Sequence, residues 1–275
     1  MTSSVNTNVG AMVALQNLNA TTNQLQNVQS IISTGLKVAS AKDDGAIWAI
    51  AQNQRATASS LDAVKDSLNR ASSVTDVALA AGSQVSDLLS QMQSKALAAS
   101  DTSLDTASRA ALNTDFISLR NQVSQVVNNA SFNGINLIKS GSTNVAALAN
   151  STGTSVLTVV AQDLSVGGAN VTVGATGTIG TVTQATNMIA TVQTSINNVS
   201  AALAKFGTAS KSVASQLTFV GKLQDTITAG VGNLVDADLA KESAQLQALQ
   251  TKQQLGIQAL SIANSASSSL LGLFR

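Results

Sequence analysis

The 275-residue sequence predicts a mainly α protein: a long antiparallel helical coiled-coil bundle with a small β-rich insertion in the middle of the chain. Three observations carry that expectation. Proline is absent, so the strongest helix breaker is missing from every segment. From residue 189 onward, apolar residues recur at alternating spacings of three and four. Between residues 132 and 183 the vocabulary changes to Gly, Ser, Thr, Asn and Val.

The spacing in the last third is the strongest of these. A seam runs from Ile189 through Val192, Ile196, Val199, Leu203, Phe206, Val213, Leu217 and Val220 to Leu234, broken only at Ser210 and Gln224. A three-four repeat of that length predicts a coiled-coil helix of roughly 70 Å at 1.5 Å per residue. In the first half, Ile47, Ile50, Leu61, Val64, Leu68, Ala71, Ala78, Val85, Leu89 and Met92 keep the same spacing. Val74, Val77, Ala81 and Leu88 add a second stripe, and a helix apolar on two stripes has two neighbours. The second neighbour is a shorter amphipathic helix carrying Leu112, Phe116, Leu119, Val123, Val126 and Ala130, after a polar break at residues 100–106.

Within the insertion, residues 156–161 and 169–173 alternate as strands do, with Gly167-Gly168 as a turn between such runs. Asn133-Gly134 is a tight-turn dipeptide. The terminal segments are unusual. Residues 1–36 hold no Asp, Glu, Lys or Arg, yet carry a helical pattern through Ala11, Leu15, Leu18, Leu25, Ile32 and Leu36. Residues 253–274 are also free of charge, with Ile257, Leu260, Leu271 and Phe274 on a stripe. Such helices lack the charged face that solubilises a surface helix, so they are expected to order by docking between copies.

Composition narrows function. Histidine and cysteine, the common general bases, thiol nucleophiles and transition-metal ligands, are absent. No enzyme activity, cofactor or metal is expected, and no disulfide forms. A net charge of +1 with interspersed signs offers no footprint for nucleic acid, and the amino-terminal segment is too polar to cross a membrane or to serve as a cleaved secretory signal. The acidic clusters read as helix caps instead: Ser40 with Asp43 at a helix start, Asp44 favourable to its dipole, and Asp236 and Asp238 likewise. Gly35 ends the first helix.

Four blocks then resemble the flagellin family: ISTGLKVASAKDD at 32–44, FNGINLI at 132–138, GNLVDADLAKESAQLQ at 232–247, and the run QQLGIQALSIANSASSSLLGLFR to the end. About four fifths of the chain is covered, with residues 140–187 as the main exception, so the resemblance is to a short form without large outer domains. It implies a subunit of the bacterial flagellar filament, with a hook-filament junction protein as the alternative. It further implies paired chain termini: residues 1–40 and 236–275 as inner-tube helices, 41–131 and 185–235 as the long helices around them, and 132–184 as an outward-facing variable insertion. Implied partners are other flagellin subunits, an export chaperone, and the filament cap and hook-junction proteins. The implied location is extracellular, reached by type III export without a cleaved signal peptide. Leu18, Leu25, Ile32, Leu246, Leu249, Leu260 and Phe274 are the expected subunit-packing residues. Ser140, Ser142, Thr143, Ser151, Thr152 and Thr154 are candidates for the O-glycosylation known in the family.

Overall fold

The computed structural model describes the backbone of residues 7–272 and the side chains of residues 7–265. In chain order come α1 (Val9–Thr34), α2 (Gly45–Ala99), α3 (Thr106–Asn129), β1 (Val145–Leu148), β2 (Val156–Val159), α4 (Val182–Val235) and α5 (Leu239–Gly272). The chain divides into two compact units, one of Met1–Ala56 with Thr226–Arg275, the other of Thr57–Asp225.

In the unit Thr57–Asp225, α2 and α4 lie antiparallel. Gln93 Nε2 donates to Gln193 Oε1 at 2.7 Å, Leu203 lies over Gly82, and Gln224 Nε2 donates to Ala58 O at 3.0 Å. Residue numbers therefore rise along one helix as they fall along the other. On α4 the seam residues Val192, Val199, Phe206, Val213 and Val220, seven apart, are each at most 1% exposed. From α2, Leu61, Val64, Leu68, Val85, Leu89 and Met92 are just as buried, as a shared three-four seam requires.

Polar and small residues in the seam are accounted for individually. Gln224 donates to Ala58 O and, at 2.7 Å, to Asp62 Oδ1, while its Oε1 accepts from Lys65 Nζ. The break on α4 is thus satisfied from α2. On α2 the spacing passes through Thr75 and Gly82, both skipped by the apolar count. Thr75 Oγ1, fully buried, donates to Ala71 O at 2.7 Å, leaving no unpaired hydroxyl. Gly82 is needed for room, because a Cβ there would stand 2.6 Å from Leu203 Cδ2.

The second stripe is real: Val74 and Leu88 are buried. Helix α3 buries Phe116, Leu119, Val123 and Val127, and its C-cap Ala130 is buried too, with Val127 in the place the sequence assigned to Val126. The turn from α2 to α3 is tied by Arg109, which sequence reasoning missed. Its Nε donates to Ala99 O at 2.9 Å and its Nη2 to Asp101 O and Leu104 O at 2.8 and 3.1 Å. A guanidinium presenting donors in a rigid fork, next to the carbonyl end of a helix, is well placed there both by geometry and by the helix dipole.

In the insertion, Asn133 and Gly134 take φ of 48° and 79°, with Phe132 and Ile135 exchanging backbone hydrogen bonds at 2.9 and 3.0 Å, as the Asn-Gly pair predicts for a primed turn. Residues 156–159 form a strand as expected. Its partner, β1, reads Val-Ala-Ala-Leu and carries no strand pattern of its own; the pair is antiparallel, Val145 opposite Val159. Residues 169–173 are not a strand. Val171 and Val173 alternate inward and are buried, but the backbone between them is held by α4, Thr172 N donating to Ser195 Oγ at 2.9 Å. Alternation reports one covered face, and here the residue between the two valines, Thr172, is the one held by α4, its Oγ1 also donating to Thr191 O at 3.1 Å.

Val220→Asp places an unpaired charge in the α2–α4 seam and is expected to destabilise the subunit by about 3 kcal/mol or more. Thermal melting followed by circular dichroism measures this, and an unchanged midpoint would put that face outside. Gly82→Leu is expected to cost about 1–3 kcal/mol by overpacking, with part of the loss recovered when Leu203→Ala is added. Additive losses would contradict the contact.

Candidate assembly surface

Helices α1 and α5 pair antiparallel in the unit Met1–Ala56 with Thr226–Arg275. Asn8 starts the pair: its Oδ1 accepts from Ala11 N at 3.0 Å as the N-cap of α1, and its Nδ2 donates to Ala263 O of α5 at 2.7 Å. At the far end Gly35, at φ 72°, closes α1 with its N–H on Ile31 O at 2.8 Å, the cap the sequence predicts. The two connections are then stitched together. Lys37 N donates to Val235 O at 2.7 Å, Ala237 N to Gly35 O at 2.9 Å, and Lys37 Nζ to Asn233 O at 3.0 Å near the carbonyl end of α4. Beneath them Val38, Ala51, Val231 and Val235 are buried, with Ile47 and Trp48 against them. Ile50 is 49% exposed, so the inward stripe here uses Ala51 in its place.

The caps are redistributed relative to the sequence expectation. Asp44, not Ser40, caps α2: its Oδ1 accepts from Ala46 N and Ile47 N, both at 3.0 Å. Asp43 closes the preceding turn, its Oδ2 accepting from Ser40 N, Ser40 Oγ and Ala39 N at 2.9 to 3.1 Å. The Ser40 backbone N–H, then its hydroxyl, hold the Asp43 carboxyl below the ordinary carboxylate range. Whatever stability this adds is present above the usual carboxylate pKa and is lost as pH falls through the lowered one. Asp238 caps α5 through Ala240 N and Lys241 N, whereas Asp236 pairs through its backbone with Leu36 and caps nothing.

Five of the seven expected packing residues meet along the α1–α5 seam of one chain. Leu25 and Leu249 are buried with Val28, and Ile32 and Leu246 pack on them. Leu18 faces Gly256, whose added Cβ would lie 3.2 Å from Leu18 Cδ1, and Leu260 is half-buried. Phe274 lies outside the described residues. A different set is left open. Val9, Met12, Val13 and Leu15 on α1 and Leu255, Ile257 and Ile262 on α5 are between 47% and 69% exposed. Leu15 and Ile257, expected on the inner stripes, belong to this outer set. Because α1 carries no charged residue, the open face has no solubilising partner of its own.

In the other unit, the glycosylation candidates lie around the β1–β2 hairpin. Ser140, Thr143, Thr152 and Thr154 are exposed, while Ser142 and Ser151 are half-buried. Thr154 Oγ1 accepts from Asn150 Nδ2 at 2.8 Å. Among the described residues no three His, Cys, Asp or Glu side chains gather as a metal site, and no helix is long and apolar enough to cross a membrane.

Two family models match the chain: the bacterial flagellin N-terminal helical region over residues 5–143 and the bacterial flagellin C-terminal helical region over residues 189–274. The chain is 58% identical over 272 residues to flagellin FljO of Caulobacter vibrioides, covering 99% of this chain and 98% of that protein. It is 36% identical over 285 residues to a flagellin of Brucella melitensis, covering 99% of both. The crystal structure of Bacillus cereus flagellin shares the fold, with a TM-score of 0.50 at 18% identity over 56% of this chain and 88% of that one. The segment between the two family matches is the short hairpin region, so no large outer domain is inserted. With its apolar-faced terminal helix pair, uncharged along α1, and its long coiled-coil seam, the chain belongs to the bacterial flagellin family and is a structural subunit of the flagellar filament, not an enzyme.

Proposed function

We propose that the subunit polymerises by covering, between copies, the apolar face that α1 and α5 leave open, and that these helices reach their final order only there. The observation that carries this is the outer set of Met12, Val13, Leu15, Leu255, Ile257 and Ile262, exposed on α1 and on the stretch of α5 beyond Lys252, both free of charge. A two-helix hairpin has no second layer to shield that face, so other copies supply it. The contact is head to tail, leaves a complementary face free on each copy, and builds an open helical polymer. In the filament the terminal helices form the inner tube and residues 132–184 face outward. Seam residues Leu25 and Leu249 act by holding the pair together, and the outer residues by meeting neighbours.

This reading extends to the route of assembly. A monomer with such a face needs a chaperone on its carboxy-terminal helix before export, leaves the cell through the type III channel without a cleaved signal peptide, and adds at the filament tip beneath the cap, beyond the hook-junction proteins. The filament is extracellular.

Deletion of residues 253–275 is expected to abolish seeded polymerisation while the unit Thr57–Asp225 keeps its cooperative melt. Sedimentation after seeding reads the first and calorimetry the second; a truncated chain that still pellets as filaments would refute the assembly mechanism. A finer comparison separates the two sets of residues. Met12→Asp or Ile262→Asp should raise the critical concentration about tenfold, equivalent to about 1.4 kcal/mol, without lowering the monomer melt. Leu25→Asp should damage the hairpin itself. For the modification sites, the intact mass of subunits from native filaments should exceed that of the bare sequence, and an equal mass would remove the proposal.

A further inference from the structure

Cysteine is absent from the chain, so the thioethers of its four methionines are the side chains that a peroxide oxidises most readily. The fold sorts them. Met92 is 1% exposed in the α2 seam, and Met188 is half-buried, its Cε lying 2.9 Å from where a Cβ on Gly177 would stand. Met1 lies outside the described residues. Met12, at 62% exposed, alone among the described methionines stands on the open face of α1. Val9 and Leu15, about one turn to either side of it, are exposed too, and the helix carries no charged residue.

We propose that Met12 is a peroxide-modification site, and that its oxidation in a free subunit blocks addition of that subunit to a filament. Its effect depends on the assembly surface proposed above, so this inference rests on that reading. A lone pair on Met12 Sδ attacks one oxygen of hydrogen peroxide. The O–O bond breaks as the S–O bond forms, and the proton of the transferred oxygen passes to the departing hydroxide, which leaves as water. The sulfur gives up an electron pair and becomes the sulfoxide, and the peroxide is reduced.

The product changes the property on which the face depends. A thioether is apolar and adapts to gaps in a contact, whereas a sulfoxide carries an acceptor oxygen that must give up its water when a second copy covers it. Position in the polymer then decides which copies react. A free subunit shows Met12 to solvent, and a subunit already in place shields it beneath its neighbours. Peroxide therefore stops growth by disabling incoming copies and leaves the existing filament whole. Met92 and Met188 are held in the unit Thr57–Asp225, so the fold of that unit survives a dose that converts Met12.

Monomers and preformed filaments given the same low dose of hydrogen peroxide, then digested and sequenced by fragment-ion mass spectrometry to separate Met12 from Met1, provide the first reading. Met12 of monomers should be oxidised about tenfold faster than Met92 or Met188, and about tenfold faster than Met12 of filaments. Oxidised monomers should show a critical concentration raised about tenfold, and methionine sulfoxide reductases of both epimer specificities with a dithiol should restore it. Met12→Leu, compared with itself before and after peroxide, should shift by less than about twofold. A chain oxidised at Met12 that assembles at an unchanged critical concentration overturns the inference, as does a peroxide effect in Met12→Leu as large as in the natural chain. If Met12→Asp still raises the critical concentration, the assembly surface stands. Met12 oxidised equally fast in monomers and filaments also overturns the inference, and it overturns the assembly surface too where Met12→Asp is without effect.

Discussion

Two helices cannot enclose a core, and most of this molecule follows from that limit. Each helix of a pair can hide one stripe, and any apolar residue off that stripe stays in water until a further layer arrives. In the unit Thr57–Asp225 the layer is internal: α3 and the insertion close over α2 and α4, so that Phe116 and Phe206 are almost wholly buried. In the terminal unit it is missing. Leu25, Val28 and Leu249 are buried there, yet Met12 and Ile262 remain more than 60% exposed. An ordinary domain would put lysines and glutamates on such a face, but a charge buried later between copies would cost several kcal/mol, and α1 has none.

The long seam shows the complementary problem, since two helices of more than fifty residues can slide by a heptad with little loss if every position is alike. The irregular residues remove that freedom. Gln224 finds its partners only opposite Ala58, Asp62 and Lys65, and Gly82 makes a gap that only a large side chain such as Leu203 fills well. A shift of seven residues would cost a half-buried amide its cross-helix partners and press Leu203 against a side chain. Arg109 does similar work at the α2–α3 turn, where loss of its fork would leave the carbonyls of Ala99, Asp101 and Leu104 without their donor.

These features also mark where the amino-acid pattern was readable. The seam of α4, the two stripes of α2, the Asn133-Gly134 turn and the Gly35 cap follow from periodicity or from a backbone demand that few residues meet, and all are present. Strand β1 was not legible because Val-Ala-Ala-Leu suits a helix equally well and becomes a strand only by pairing with β2. Residues 169–173 carried a true alternation, but period two says only that one face is covered, not that a neighbouring strand pairs there. Arg109 gave no local sign, since its three acceptors belong to a turn whose path depends on the packing of α3. The open face of α1 and α5 was half visible: absence of charge announced it, while the division between Leu18 inside and Leu15 outside depends on the register of the pair.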